Sequence, residues 1–134
     1  MEQKMVSAAI IRRDGKILIA RKPNKDRWSL PGGTANNDEG PQDTLLRELN
    51  EEFPELRIKG APRLFRHFPL SATNPHEVYI FLANVSGEAT PNPVEIAEAR
   101  WIFDPIVESY NLPPQVVRAL LSLRIRPPPP EIFD

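Results

Sequence analysis

Three glutamates, Glu48, Glu51 and Glu52, fall at i, i+3 and i+4 in the stretch "PQDTLLRELNEEF". On a helix these positions are neighbours, and like charges so placed cost a few tenths of a kcal/mol per pair. Arg47 is the one cation in the stretch that can offset them. Clustered carboxylates with few other polar groups are a donor set for a hard divalent cation, because Mg²⁺ takes oxygen ligands and retains waters. A carboxylate-held dication in turn favours phosphate-bearing substrates. The acids follow "WSLPGGTANNDEG", where glycines let the backbone come close to a ligand. These residues suggest a metal-dependent phosphate site, with a solvated acidic helix face as the bland alternative.

The elements that must position them are readable from pattern. From Pro41 the sequence becomes helical: Pro41 suits the first turn, Asp43 the positive end of the helix, and Leu45, Leu46, Leu49 and Phe53 form an apolar stripe. At about 100° per residue the three glutamates occupy a separate sector, roughly opposite the leucines. Pro54 stops the helix and biases Phe53 away from helical geometry. Upstream, "MVSAAIIRR" and "KILIARK" flank Asp14-Gly15 and predict a β-hairpin. A loop with a short strand at Trp28–Leu30 follows. Downstream, "LRIKG", "RLFRHFPL", "HEVYIFLANVSG" and "EARWIF" read as strands. "DPIVESY" reads as a helical turn capped by Asp104, and "LPPQVVRALLSLRI" as a closing helix with Val116, Val117, Leu120, Leu121 and Leu123 largely on one side. The expected fold class is mixed α/β (α+β), in one domain over residues 1–126 with a proline-rich C-terminal tail over 127–134.

Composition narrows the function classes. Lys and Arg number 17 against 18 Asp and Glu, so no bulk attraction to nucleic acid or anionic membrane is expected, though a local basic patch could hold phosphates. Absence of cysteine excludes disulfides and thiolate metal sites. No run approaches the ~20 apolar residues of a membrane span, and the first residues lack a signal-peptide pattern. A cytoplasmic protein acting as a monomer or homodimer is the expectation.

Gly33, five residues, Glu39, seven residues and then Arg47-Glu48-Leu49-Asn50-Glu51-Glu52 resembles the signature of the Nudix (MutT-like) hydrolases, Gly-x5-Glu-x7-Arg-Glu-U-x-Glu-Glu-x-Gly-U with U aliphatic. Every fixed position matches through the double glutamate. The flanking "WSLPGG" and "EIAEARW" agree, as does the order of strands and helices. The end departs: Pro54 stands where the family has glycine and Glu55 where it has an aliphatic residue, with Leu56 available for that role.

The resemblance implies an α/β/α sandwich with a mixed β-sheet. It implies Mg²⁺ or Mn²⁺ held by Glu48, Glu51 and Glu52 with help from the Gly32 carbonyl. Arg47 would pair with a glutamate of its own helix, and Glu39 would support the loop and helix start. The general base would be Glu52, with Glu95 and Glu98 as alternatives from a later loop. Arg21, Lys22, Arg27 and Gly33 are the candidates to meet substrate, while Trp28, Phe68, Tyr79 and Phe81 are more in keeping with core than with base stacking. The implied activity is hydrolysis of a phosphoanhydride in a nucleoside diphosphate linked to X, with a MutT-like (d)NTP pyrophosphohydrolase first. ADP-ribose, nucleotide sugars and dinucleoside polyphosphates are the alternative substrates. A Nudix-fold module that senses a nucleotide without cleaving it is the rival of another class, and an RNA-end-processing enzyme is a further one. Extensive nucleic-acid binding is not expected.

Overall fold

The computed structural model describes residues 4–125; the proline-rich tail assigned to 127–134 lies outside them. The strands are β1 (Lys4–Arg13), β2 (Lys16–Arg21), β3 (Trp28–Ser29), β4 (Gly32–Thr34), β5 (Arg57–Phe68), β6 (His76–Ser86) and β7 (Glu98–Ile102). The helices are α1 (Pro41–Glu52) and α2 (Pro114–Ile125). The main path of the sheet runs β3-β2-β1-β6-β5, with β4 on β1 and β7 on β2. β1 and β6 are parallel, from Lys4 opposite His76 to Ile11 opposite Ala83, and the other pairings are antiparallel. The sheet is therefore mixed, as expected. Asp14 takes φ 54° in the β1–β2 turn, the left-handed geometry a two-residue hairpin demands.

Alternation along β1 builds two cores. Ala8 and Ile10 face Val116, Ala119, Leu120 and Leu123 of α2. Ala9 and Ile11 face Leu45, Leu49 and Phe53 of α1. One helix thus covers each face, which is the α/β/α arrangement.

β1 is also where the sheet divides. Its last residues, Arg12 and Arg13, pair with β2, but Val6, Ser7 and Ala8 pair with β4, and Ala9 N–H donates to the Pro31 carbonyl at 3.0 Å. β2 has turned away by then to pair with β3 and β7. The Pro-Gly-Gly segment fills the divergence, directly beneath α1.

Several expectations need correcting. Leu46 is 38% exposed and lies outside the buried stripe, whereas Thr44, Glu48 and Glu52 are buried within it. Leu121 of α2 is likewise exposed. Residues 57–68 are one strand, not two, because irregularities between Lys59 and Arg63 and between Leu64 and Arg66 absorb the polar interruption without ending the pairing. Such bulges bend a strand while keeping it in the sheet. Residues 105–109 form a single helical turn, as expected: Glu108 N–H donates to the Asp104 carbonyl at 3.0 Å, and Asp104 Oδ1 accepts from the N–H groups of Ile106 and Val107 as a cap does. Glu98 is the first residue of β7, as the strand read from "EARWIF" has it, so of the two later acids Glu95 stands in the loop. After α1, Phe53 N–H still donates to Leu49 O at 2.8 Å and Leu56 enters the core, so Pro54 leaves the helix end intact.

The two stripe positions give contrasting expectations. Phe53 is fully buried, so Phe53→Ala should lower unfolding free energy by about 3–5 kcal/mol. Leu46→Ala should cost under about 1 kcal/mol. Urea unfolding of both variants checks this.

Candidate active site

α1 buries a polar seam. Thr44, Glu48 and Glu52 repeat every four residues and are all buried, Glu48 at 8% exposure and Glu52 at 0%. Side chains at this spacing share one helix face, and here that face meets the β4 glycines. Gly32 N–H donates to Glu52 Oε1 at 3.0 Å. Gly32 takes φ +147°, and a Cβ there would lie 2.0 Å from the Ser7 carbonyl oxygen. A Cβ on Gly33 would lie 2.3 Å from the Glu48 carboxyl carbon. Gly32 therefore lets β4 close onto the β1 backbone, and Gly33 leaves the space that the Glu48 carboxylate fills.

Arg47 disperses the remaining repulsion. Its guanidinium donates to both oxygens of Glu39, at 2.8 and 2.9 Å, to Glu48 at 3.0 Å and to both oxygens of Glu51 at 3.3 Å. It also donates to the Thr34 carbonyl at 3.0 Å. This bidentate pairing holds Glu39 down to a pKa of about 2, with Arg47 the largest cause and the Asn36 N–H next. Glu39 Oε1 also accepts from Asn36 N–H and Thr44 Oγ1, so it fastens the incoming loop to the first turns of α1. Arg47 thus pairs with two glutamates of its own helix and also reaches the loop.

Glu52 lies in a different environment. It lines the floor of a cleft of about 440 Å³ whose other walls are Ala20, Lys22, Lys25, Arg27, Ser29, Leu30, Pro31 and Ile96. Oε2 has no hydrogen-bond partner; Lys22 Nζ is nearest at 3.5 Å, beyond the usual hydrogen-bond range. Burial pushes the Glu52 carboxyl up to about 7, partly offset by Lys22 and the Gly32 N–H and reinforced by Glu48.

The other sequence-derived candidates separate. Arg27 lines the cleft, whereas Gly33 lies against Glu48 and is not among the cleft residues. Arg21 instead donates to the Lys25 carbonyl at 3.0 Å and pairs with Glu98 at 3.4 Å, bracing the 22–27 loop. Glu98 is also bound by Arg100, which first among its partners holds it below the usual carboxylate range. Glu95 sits in the turn before Ile96, a cleft wall residue. Trp28 is buried edge-on to Tyr110 at 5.3 Å between centroids.

Lys25 and Asn92 went unnoticed in the sequence. Asn92 N–H donates to Glu52 O at 2.8 Å and its side-chain amide to Glu51 O at 3.1 Å, so it caps the acidic end of α1. Its sequence signal is the Asn92-Pro93 pair, a turn initiator.

The donor chemistry fits a hard dication: carboxylate and carbonyl oxygens are at hand, two of the carboxylates are buried, and one of their oxygens accepts no hydrogen bond. The geometry is not closed around a point, since among the described residues no three acidic or histidine side chains converge as a metal cluster. Glu51 is turned to Arg47 instead.

Comparisons with known proteins follow the same lines. The NUDIX domain family matches residues 1–104. An RNA pyrophosphohydrolase of Xylella fastidiosa is 43% identical over 60 residues, 42% of this chain and 32% of that protein. One from Pseudomonas putida is 55% identical over 38 residues, 28% of this chain and 24% of that protein. The chain thus aligns with under a third of the length of these curated relatives. Among solved structures, the E. coli ORF135 protein is 28% identical, with 95% of each chain covered and a TM-score of 0.65.

Linkage gives opposite signs for the two acids. A carboxyl raised to about 7 costs the metal-free protein stability as pH climbs from about 4.5 past 7. Glu52→Gln should therefore raise the unfolding free energy of the metal-free protein at pH 8 by roughly 3 kcal/mol and change it little at pH 5, as read by urea unfolding. A carboxyl lowered to about 2 contributes stability that is lost as pH falls from about 4.5 toward 2. Thermal unfolding of Glu39→Gln should accordingly show a flatter pH dependence than wild type across that acid window.

Proposed function

The chain belongs to the Nudix family, and on that premise we propose that it is a divalent-metal-dependent pyrophosphohydrolase, of MutT-like type, acting on a (d)NTP. The observation that carries this is Glu52: a buried carboxylate with one unpartnered oxygen, on the floor of a cleft whose rim bears Lys22, Lys25 and Arg27. Three cations around one acid suit a polyphosphate chain, which needs counter-charge along its length.

Glu48 and Glu52 would hold Mg²⁺ or Mn²⁺, with Glu51 joining once it leaves Arg47 and the Gly32 carbonyl helping. A dication so held neutralises phosphate charge and acidifies bound water. Lys22, Lys25 and Arg27 bind and orient the phosphates in the cleft. Glu52 takes the proton of the attacking water as oxygen adds to phosphorus and the bridging P–O bond breaks. The negative charge then passes to the leaving phosphate oxygen. Glu39 and Arg47 position the acids from outside the reaction. Arg21 and Glu98, bound to each other, hold the 22–27 loop, and Glu95 is the later-loop acid left available near the cleft.

A second reading, hydrolysis at a triphosphorylated RNA 5′ end, is favoured by the RNA pyrophosphohydrolases among the relatives. A near-neutral chain can accept one terminal nucleotide without an extensive nucleic-acid surface.

The test is phosphate and pyrophosphate release with Mg²⁺ or Mn²⁺ across dNTPs, ADP-ribose, nucleotide sugars, dinucleoside polyphosphates and 5′-triphosphorylated RNA. Turnover of dNTPs, abolished by chelation and reduced roughly 10³-fold in Glu52→Gln, is expected. Lys25→Ala and Arg27→Ala should each raise KM roughly tenfold. Preference for the RNA end moves the assignment to the second reading. Nucleotide binding without cleavage of any substrate makes the protein a sensing module and overturns the first.

A further inference from the structure

Glu52 carries its charge at zero exposure, and Lys22 is the cation closest to it. Oε1 is occupied by the Gly32 N–H at 3.0 Å. Oε2 has no hydrogen-bond partner, and the Lys22 ammonium stands 3.5 Å from it. The Lys22 side chain is 51% exposed while that of Glu52 is 1% exposed, so one partner is fixed and the other is free to swing into solvent.

We infer that Lys22 is the resting counter-ion of Glu52, exchanged for the divalent cation when the site loads and thereby released to take a substrate phosphate. This rests on the metal-dependent reading above and adds an order to it: cation first, then phosphate.

Three features support the exchange. A lysine is a point charge on a flexible stem, suited to changing partners without moving backbone. The backbone around it is already anchored, because Arg21 binds the Lys25 carbonyl and Glu98, so only the side chain has to move. Lys25 and Arg27 stand on the same cleft wall, so an ammonium leaving Glu52 remains where phosphate is to be bound. The loose 3.5 Å contact is what an exchangeable pair requires, since a short, fully bonded pair would be costly to break.

Lys22 is on this account a positioning residue as well as a phosphate contact, and the two roles separate in the absence of nucleotide. Lys22→Met, Lys22→Gln and Lys22→Arg would be compared with wild type as full chains at pH 8.5, where the carboxylates are ionised, by thermal unfolding and by Mg²⁺ titration calorimetry. Removing the ammonium should lower the metal-free melting temperature by about 2–4 °C. It should also tighten Mg²⁺ binding about three- to tenfold, since the cation no longer displaces a like charge. Lys22→Arg should return both values toward wild type. Mg²⁺ affinity equal to or weaker than wild type in Lys22→Met and Lys22→Gln overturns the exchange while leaving the metal site standing. Failure of wild type itself to bind Mg²⁺ overturns both together.

Discussion

A carboxylate with no solvent exposure is costly to keep ionised, and most of what surrounds Glu52 answers that cost. Burial of an unpaired charge usually shifts the pKa until the charge is lost, and here the carboxyl rises to about 7 instead of titrating in the ordinary acid range. One backbone N–H, from Gly32, and one nearby ammonium, from Lys22, restore part of what water would supply. Both come from segments that the divided sheet brings together: Gly32 from β4, paired to β1, and Lys22 from the end of β2, which has diverged toward β7. The fold thus places an incompletely compensated charge at the one seam where the sheet opens.

The other acids are handled by a different device. Arg47 engages Glu39, Glu48 and Glu51 together, and a planar guanidinium with several donors is suited to that many acceptors. The outcome is a graded set of carboxylates on one helix and the loop that enters it. Glu39 is locked and strongly acidic, Glu51 is exposed and loosely held, Glu48 is buried against Gly33, and Glu52 is buried with an oxygen left over. Groups of one chemical type given distinct environments acquire distinct roles.

Much of this was legible in the sequence because it rests on local rules. The Asp14-Gly15 hairpin, Pro41 at the helix start and the glutamate spacing are properties of neighbouring residues, and each corresponds to an observed element. The helix face was misjudged. Hydrophobicity places Leu46 inward and the glutamates outward, but Gly33 leaves room that Glu48 fills and the Gly32 N–H binds Glu52, so both acids are buried and Leu46 is exposed. Lys25 and Asn92 were missed because their partners lie elsewhere in the chain: the cleft around Lys25 is closed by Glu52 and Ile96, and Asn92 caps a helix some forty residues upstream. Glu98 opens the strand legible in "EARWIF", but its pairing with Arg21 is a long-range fact.

The central claim is that Glu52 is the poised group of the cleft, and its own titration tests that most directly. With ¹³C-labelled glutamate, the carboxyl resonance absent from Glu52→Gln would be followed by NMR against pH, with and without Mg²⁺. A midpoint near 7 is expected in the metal-free protein, moving well below that when Mg²⁺ is present. A midpoint in the ordinary carboxylate range, unmoved by Mg²⁺, would contradict it.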